Sequence, residues 1–275
     1  MHEAGFDPKG CRPADPALRA LDQELDGVDG EVIYPVAHNL HRVLSDTNIE
    51  AICYTACNDF IAEFCRSNPQ RFVGLGAVVN KDPSLAAAHP IWHADWEQVW
   101  KAAAESNVII HFHAAGGTTT VSPSDGNTSS FFAWYGVAQM QMDESLASII
   151  ACGALERYPS LRVVIGEGGI GWIPYLLDRM DYELVDQRER LEGVLTEKPS
   201  VLFRRQMYAT FQKETYGPLL ASHFGQDNFM WGADYPHEDS VWPDSRETIR
   251  EYMGSLDPII RQKIVNDNVT RLYGI

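Results

Sequence analysis

The chain has 275 residues, of which 45% are hydrophobic and 22% are charged. This composition is typical of a folded globular protein and excludes a disordered or collagen-like chain. The 22 lysines and arginines against 38 aspartates and glutamates give a net charge of −16. We expect neither nucleic acid nor an anionic membrane as a partner, because a surface this acidic repels phosphate groups.

We expect a cytoplasmic protein with a single domain over residues 1–275. No apolar run approaches the roughly 20 residues that a bilayer-spanning helix needs, and residues 1–10 lack the apolar stretch of a signal peptide. A chain of this length can bury a sizeable core.

Six short apolar runs predict β-strands, at residues 31–35, 72–79, 108–113, 162–166, 207–211 and 229–234. Most of these runs are almost continuously apolar, as expected for a parallel sheet that is covered on both faces. Helical patterns lie between and after them, at residues 47–67, 95–106, 143–158, 173–191, 218–224, 244–253 and 258–273. Strict alternation of strand and helix predicts an α/β fold.

The absence of a glycine-rich phosphate loop after the first strand disfavours an open doubly wound sheet. We therefore predict a TIM (β/α)8-type barrel, in which chemistry takes place at the carboxyl ends of the strands. The longest loop, residues 116–130, follows such a strand end and is predicted to be an active-site lid.

The five cysteines have no CxxC spacing, and Cys53 and Cys57 fall in an apolar stripe of the first predicted helix. The stripe also contains Ile49, Ile52, Phe60 and Phe64. We interpret these cysteines as buried structural thiols, with zinc ligands as the less favoured alternative.

Three predicted strands end in side chains that bind metals or transfer protons. His111 and His113 lie on one face of the third strand, Glu167 follows the fourth strand, and Asp234 ends the sixth strand with His237 three residues later. Each residue alone has a structural interpretation, as a core histidine, a helix cap or a turn former. Together at one barrel mouth they favour a metal-assisted site, because borderline metals prefer this mixture of nitrogen and oxygen ligands.

These motifs resemble the aminocarboxymuconate-semialdehyde-decarboxylase-like branch of the amidohydrolase superfamily, and the resemblance runs from about Gly5 to the C-terminus. The most specific strings are EGGIGWIPY (167–175) and DYPHEDSVWP (234–243), and HFHAAGG (111–117) is among the other matching stretches. The resemblance implies a distorted (β/α)8 barrel with one divalent metal, zinc in the first place and manganese as the alternative.

The resemblance also implies roles for individual residues. His113 corresponds to the metal ligand of strand five, and Asp234 to the ligand of strand eight that handles the proton of the metal-bound water. Glu167 stands where decarboxylase relatives have a histidine, and is expected to act as a base or to hydrogen-bond a neighbouring ligand. The expected substrate contacts are His111, His237, Arg204 and Trp172.

The predicted function is that of an enzyme, a metal-dependent hydrolase or a non-oxidative decarboxylase. It would act through a metal-bound water on a small carboxylate, amide, ester or lactone, and the sequence does not choose between the two reactions. The alternative is an inactive family member, or a truncated reading frame, that keeps only a binding or assembly scaffold. This alternative arises because the family's first-strand HxH or DxH pair and its fourth strand are not recognisable. Unpaired strand edges would then favour a homo-oligomer.

Overall fold

The structure is a computed structural model that describes residues 6–7, 10–35, 46–77, 90–113, 127–237 and 239–275. The chain divides into two compact units. The first unit comprises residues 1–88, 233–251 and 269–275, and the second comprises residues 89–232 and 252–268.

The second unit is built on a four-stranded parallel sheet with the strand order β5-β6-β7-β8. The strands are β5 (Ile109–His113), β6 (Arg162–Gly166), β7 (Met207–Phe211) and β8 (Phe229–Trp231). Because the strands are parallel, their C-terminal ends lie along one side of the sheet, which we call the carboxyl edge. Val163, Val164 and Ile165 of β6 are fully buried, which explains the continuous apolar run in the sequence.

The first unit contains two short sheets. Strand β1 (Phe6–Asp7) pairs antiparallel with β2 (Gly10–Cys11), and β3 (Glu31–Ile33) pairs parallel with β4 (Phe72–Gly74).

Helices connect these strands. The α-helices of the described residues are Pro16–Asp26, Thr47–Arg66, Glu97–Glu105, Thr128–Ala138, Asp143–Ala151, Ala154–Arg157, Ile173–Asp186, Pro199–Gln206, Tyr216–Leu220, Ser245–Met253, Pro258–Gln262 and Asn268–Tyr273. Short 3-10 helices cover Arg12–Ala14, Ala94–Trp96 and Gln139–Met142, and a π-helical turn covers Lys263–Asp267.

Side-chain caps fix the starts of three of the longer helices. The carboxylates of Asp15 and Asp46 and the amide oxygen of Asn127 each accept hydrogen bonds from two N–H groups of the following helical turn. These groups have no partner within the helix itself, so the caps define where the helices begin.

The core of the first unit corrects one expectation about its long helix, Thr47–Arg66. Phe64 packs against Phe72 of β4, with ring centroids 5.1 Å apart, and both contact the cluster around Ile33. Ile49, Ile52 and Phe60 are exposed, and Cys53 and Cys57 are only half-buried. The prediction of one buried stripe was wrong, because only the C-terminal part of the helix contributes side chains to the cluster around Ile33.

All six predicted strands are present, and the α/β alternation is confirmed in the described residues. The helices Pro16–Asp26, Thr128–Ala138 and Pro199–Gln206 were not predicted. Most of the predicted lid lies outside the described residues, although residues 128–130 form the first turn of a helix. The family's first strand was expected at or before residues 1–5, which lie outside the described residues. Its fourth strand would lie within residues 88–95, and the described part of this segment, residues 90–95, forms a turn and the start of the 3-10 helix Ala94–Trp96.

Among the described residues, no helix is both long enough and apolar enough to cross a membrane.

Candidate functional site

The neighbouring ends of β5 and β6 bring together two of the predicted residues. The last register pair of these strands is His113 with Gly166, so Glu167 is the first residue beyond the ladder. The Nε2 atom of His113 lies 3.0 Å from Oε2 of Glu167, and both side chains are partly buried. Burial, with a smaller effect from nearby His113, lowers the pKa of His111 to about 3. His111 is therefore neutral at physiological pH and can donate or accept a hydrogen bond.

Glu167 has an unusual backbone conformation. Its φ is 53°, and Asp234 has a φ of 58°, both in the left-handed region that side chains disfavour. Such residues persist where surrounding contacts hold them, and they concentrate at functional sites. One such contact is at Glu167 itself, whose N–H donates to the hydroxyl oxygen Oγ1 of Thr210 at 2.7 Å.

The glycine-rich turn after Glu167 surrounds a buried carboxylate. Glu214 accepts hydrogen bonds from the N–H groups of Ile170 at 2.6 Å and Gly171 at 2.9 Å. A Cβ atom on Gly169 would lie 2.7 Å from Oε1 of Glu214, and one on Gly217 would lie even closer to Oε2. Burial raises the pKa of Glu214, although the two N–H groups oppose this shift.

Asp234 and His237 form a second pair, in the first unit. The Oδ2 atom of Asp234 lies 3.2 Å from Nδ1 of His237. The Asp234 side chain is only 16% exposed, whereas that of His237 is 49% exposed. This pair therefore joins a mostly buried carboxylate to an imidazole that solvent can reach.

The helix Pro16–Asp26 anchors the segment that carries Asp234. The hydroxyl of Tyr235 donates to Oδ2 of Asp22 at 2.6 Å, and the indole N–H of Trp242 donates to the backbone oxygen of Asp22 at 3.0 Å. The guanidinium of Arg19 lies 5.1 Å from the centre of the Tyr235 ring and pairs with Glu31. Burial, and then the hydrogen bond to Asp22, raise the pKa of Tyr235.

The two remaining predicted residues have different surroundings. The indole N–H of Trp172 donates to the backbone oxygen of Gly168 at 2.7 Å, so Trp172 closes the turn that follows Glu167. Arg204 lies in the helix that runs directly into the N-terminal end of β7, and its guanidinium stacks on Phe224 at 4.5 Å. The structure does not bring Arg204 together with His113 and Glu167, because these lie at the opposite edge of the sheet.

The donor atoms present fit a divalent metal. The side chains of His113 and Asp234 are 18% and 16% exposed, so an imidazole nitrogen and a carboxylate oxygen remain within reach of an ion. Imidazole nitrogen together with carboxylate oxygen is a donor set that suits zinc and manganese.

Sequence reasoning missed three residues that hold the candidate groups in place: Asp22, Thr210 and Glu214. The available signal was the glycine run 168–169 and Gly171, since consecutive glycines indicate the close approach of another group. The sequence does not identify that group, because Glu214 is more than 40 residues further along the chain.

Comparison with known proteins assigns the family. The amidohydrolase family model matches residues 87–275, which is more than half of the chain, and the chain belongs to this family. The γ-resorcylate decarboxylase of Polaromonas sp. (strain JS666) is 22% identical over 284 residues, covering 87% of this chain and 84% of that protein.

Solved structures share the fold. The 5-carboxyvanillate decarboxylase from Sphingomonas paucimobilis superposes with a TM-score of 0.73 at 21% identity, covering 94% of this chain and 82% of that chain. The 5-carboxyvanillate decarboxylase from Novosphingobium aromaticivorans, solved with manganese and 4-hydroxy-3-methoxy-5-nitrobenzoic acid, gives a TM-score of 0.71 at 19% identity, covering 94% and 79%.

These findings confirm the predicted family and fold class, an α/β barrel of the amidohydrolase type. They also confirm the predicted kind of protein, an enzyme of the hydrolase or carboxy-lyase group. The prediction of zinc has no support from these relatives, since the metal present in the Novosphingobium structure is manganese.

Proposed function

We propose that this protein is a metal-dependent, non-oxidative decarboxylase of a small aromatic carboxylate. The observation that carries the proposal is the contact of His113 with Glu167 at the carboxyl edge of the sheet, at 3.0 Å. It puts an imidazole and a carboxylate, two metal-compatible donors, at the strand ends where barrel enzymes carry their chemistry. The similarity to decarboxylases of hydroxylated benzoates supports the choice of reaction.

His113 and Asp234 are the proposed metal ligands. His113 is the last residue of β5, and Asp234 follows the end of β8 by three residues. Since β5 and β8 are parallel strands of one sheet, the chain leaves β8 at the same edge at which His113 lies. When bound, a divalent metal would supply the positive charge that holds an anionic substrate. Glu167 would fix the orientation of the His113 imidazole, as carboxylates commonly do for ligating histidines.

Asp234 is also the proposed proton donor. In decarboxylation a proton adds to the ring carbon that bears the carboxylate, and the carbon–carbon bond then breaks to release carbon dioxide, with its electron pair returning to the ring. The Oδ2 atom of Asp234 is hydrogen-bonded to His237, whose imidazole is half exposed to solvent. His237 can therefore return a proton to Asp234 after each turnover.

Neutral His111 and half-buried Trp172 are the proposed substrate contacts. A neutral imidazole can hydrogen-bond a phenolic hydroxyl without placing a second positive charge beside His113. The indole of Trp172, held by its bond to Gly168, offers a rigid surface on which an aromatic ring can pack. We propose an anionic substrate because of the charge of the metal. Arg204, which lies before β7 and stacks on Phe224, is not part of this argument.

Turnover of two aromatic acids tests the proposal. The purified protein is loaded with manganese and incubated with 2,6-dihydroxybenzoate or 5-carboxyvanillate, and the decarboxylated phenol is quantified by liquid chromatography. We expect turnover of at least one acid, inhibition by a chelator, and a loss of about 100-fold or more in Asp234→Asn. The exposed His223 provides a matched control, because His223→Ala removes an imidazole outside the site. Failure of the manganese-loaded protein to convert either acid would contradict the proposed substrate class.

Hydrolysis is the second candidate function, and the carboxylate of Glu167 favours it. Where decarboxylase relatives have a histidine, this chain has a carboxylate, a group that can take a proton from water as a general base. An ester or lactone would then be the substrate. Release of acid from an aromatic lactone, with no decarboxylation of either benzoate, would support hydrolysis. Absence of both reactions in a metal-loaded protein would support the inactive alternative.

A further inference from the structure

The turn that carries Glu167 is held by two side chains from one neighbouring segment, Thr210 on β7 and Glu214 in the loop after β7. We infer that Thr210 and Glu214 are positioning residues that set the direction of the Glu167 carboxylate toward His113. This inference rests on the proposed function, because it assumes that Glu167 orients a metal-binding histidine.

Thr210 acts where the backbone ladder ends. The last register pair of β6 and β7 is Ile165 with Ala209, so Glu167 lies two residues beyond this ladder. The Thr210 hydroxyl accepts the Glu167 N–H at 2.7 Å and extends the contact between the strands by one residue. A hydrogen bond at this N–H fixes the peptide plane and supports the left-handed φ of 53°.

Glu214 holds the turn that follows Glu167 in the chain. Its two carboxylate oxygens accept the N–H groups of Ile170 and Gly171, three and four residues after Glu167. The glycines at 169 and 217 leave the space that this carboxylate occupies, since a Cβ at either position would overlap with it. Glu167 thus lies between a hydroxyl that holds its own N–H and a carboxylate that holds the following turn.

This arrangement explains why the sequence has the form Glu-Gly-Gly-Ile-Gly at 167–171. The leading glutamate contacts His113, and Gly169 and Gly171 leave space for the carboxylate of Glu214, whereas Gly168 lies against Ile165. The run therefore stabilises the left-handed backbone conformation of Glu167, and a small change in that conformation should alter the position of its carboxylate at His113.

The test uses Thr210→Val, Thr210→Ser and Glu214→Gln in the full-length protein. Valine matches threonine in shape and is favoured in strands, but the Glu167 N–H loses this acceptor, so we expect the melting temperature of Thr210→Val to fall by a few degrees while the protein stays folded. We expect its kcat to fall about 10-fold and its manganese affinity to fall about 10-fold, the lower end of the range for residues behind metal ligands. KM should change less than twofold, and Thr210→Ser should restore both values. Glu214→Gln should lower kcat and manganese affinity at least as much. The glutamine side chain has one oxygen, so only one of the N–H groups of Ile170 and Gly171 keeps an acceptor, and the other faces the NH2 group.

Two controls in the same unit match these variants. Glu156 also accepts two backbone N–H groups, from Thr196 and Glu197, and the hydroxyl of Thr196 bonds to Glu156. Glu156→Gln and Thr196→Val should leave kcat and manganese affinity at wild-type values. Manganese affinity is measured by calorimetry, so this readout does not depend on the substrate.

Glu167→Gln separates the possible failures. If Glu167→Gln itself keeps wild-type kcat and manganese affinity, the proposed role of Glu167 is wrong. If Glu167→Gln lowers kcat and manganese affinity but Thr210→Val does not, the proposed function stands and the positioning inference is overturned. The same holds if Thr210→Ser has the low kcat and manganese affinity of Thr210→Val.

Discussion

Gly169 provides a quantitative test of the turn that carries Glu167. The φ of Gly169 is +67°, and a Cβ placed there would lie 2.7 Å from Oε1 of Glu214 and 3.2 Å from Oε1 of Gln139. Gly193 has a similar φ of +81°, but nothing lies within 4 Å of the position that a Cβ would take there. The two glycines therefore differ in crowding and not in backbone conformation.

The expected costs follow from this difference. Gly193→Ala should lower the free energy of unfolding by about 1 kcal/mol, the cost of a left-handed alanine. Gly169→Ala adds the displacement of Glu214 from its hydrogen bond to Ile170, and breaking a charged hydrogen bond costs about 1.5–3 kcal/mol. We therefore expect Gly169→Ala to cost about 2 kcal/mol more than Gly193→Ala.

Urea unfolding followed by circular dichroism gives both values on the same protein preparation. Equal destabilisation by the two alanines would refute the argument, since it would mean that the Glu214 carboxylate can move away at no cost. A larger loss of kcat in Gly169→Ala than in Gly193→Ala should accompany the difference in stability.

Three further predictions concern other parts of the chain. Tyr235→Phe removes the hydroxyl that donates to Asp22. It should lower the free energy of unfolding by about 1.5 kcal/mol and weaken manganese binding measured by calorimetry. An unchanged free energy of unfolding and unchanged manganese affinity would contradict the anchoring role. The hydrogen bond from Arg157 lowers the pKa of Glu97, so this half-exposed pair contributes stability above the ordinary pKa of a glutamate and loses it as the pH falls through the lowered pKa. Glu97→Gln should therefore cost at most about 1 kcal/mol at pH 7 in urea unfolding. The difference from wild type should shrink as the pH falls from 7 to 3, and a difference that stays constant would show another cause. The protein should self-associate, because Phe131, Phe132 and other apolar side chains are exposed, and a monomeric mass in light scattering would disprove this.

The strands could be predicted because strands buried on both faces consist almost entirely of apolar residues. Val163, Val164 and Ile165 are fully buried between covered faces, and such strands read as unbroken apolar runs. The helix Thr128–Ala138 was missed because its aromatic residues and its glycine have modest helix propensity and no amphipathic period.

The helix Pro16–Asp26 was missed for a different reason. Its buried side chains are the polar ones, including Arg19 and Asp22, whereas Leu21 and Leu25 are exposed. Periodicity of apolar residues cannot reveal a helix whose buried face is a network of charges. The hydrogen bond from Tyr235 to Asp22 contributes to this network.

The candidate site was partly predictable from the order of the strands. His113 and Glu167 end consecutive parallel strands, and the register of β5 and β6 brings their side chains together as the sequence suggested. Thr210 and Glu214 could not be assigned, because their roles depend on how closely the backbone of the glycine turn approaches them. The placement of Arg204 before a strand and not after it explains why it does not join His113.

Manganese binding to the chelator-treated protein, measured by calorimetry, tests the central claim most directly. The account predicts one ion per chain in the wild type, an affinity lowered about 100-fold or more in His113→Ala and in Asp234→Asn, and wild-type affinity in His223→Ala. Binding of the ion with the same affinity in His113→Ala and the wild type would contradict the account.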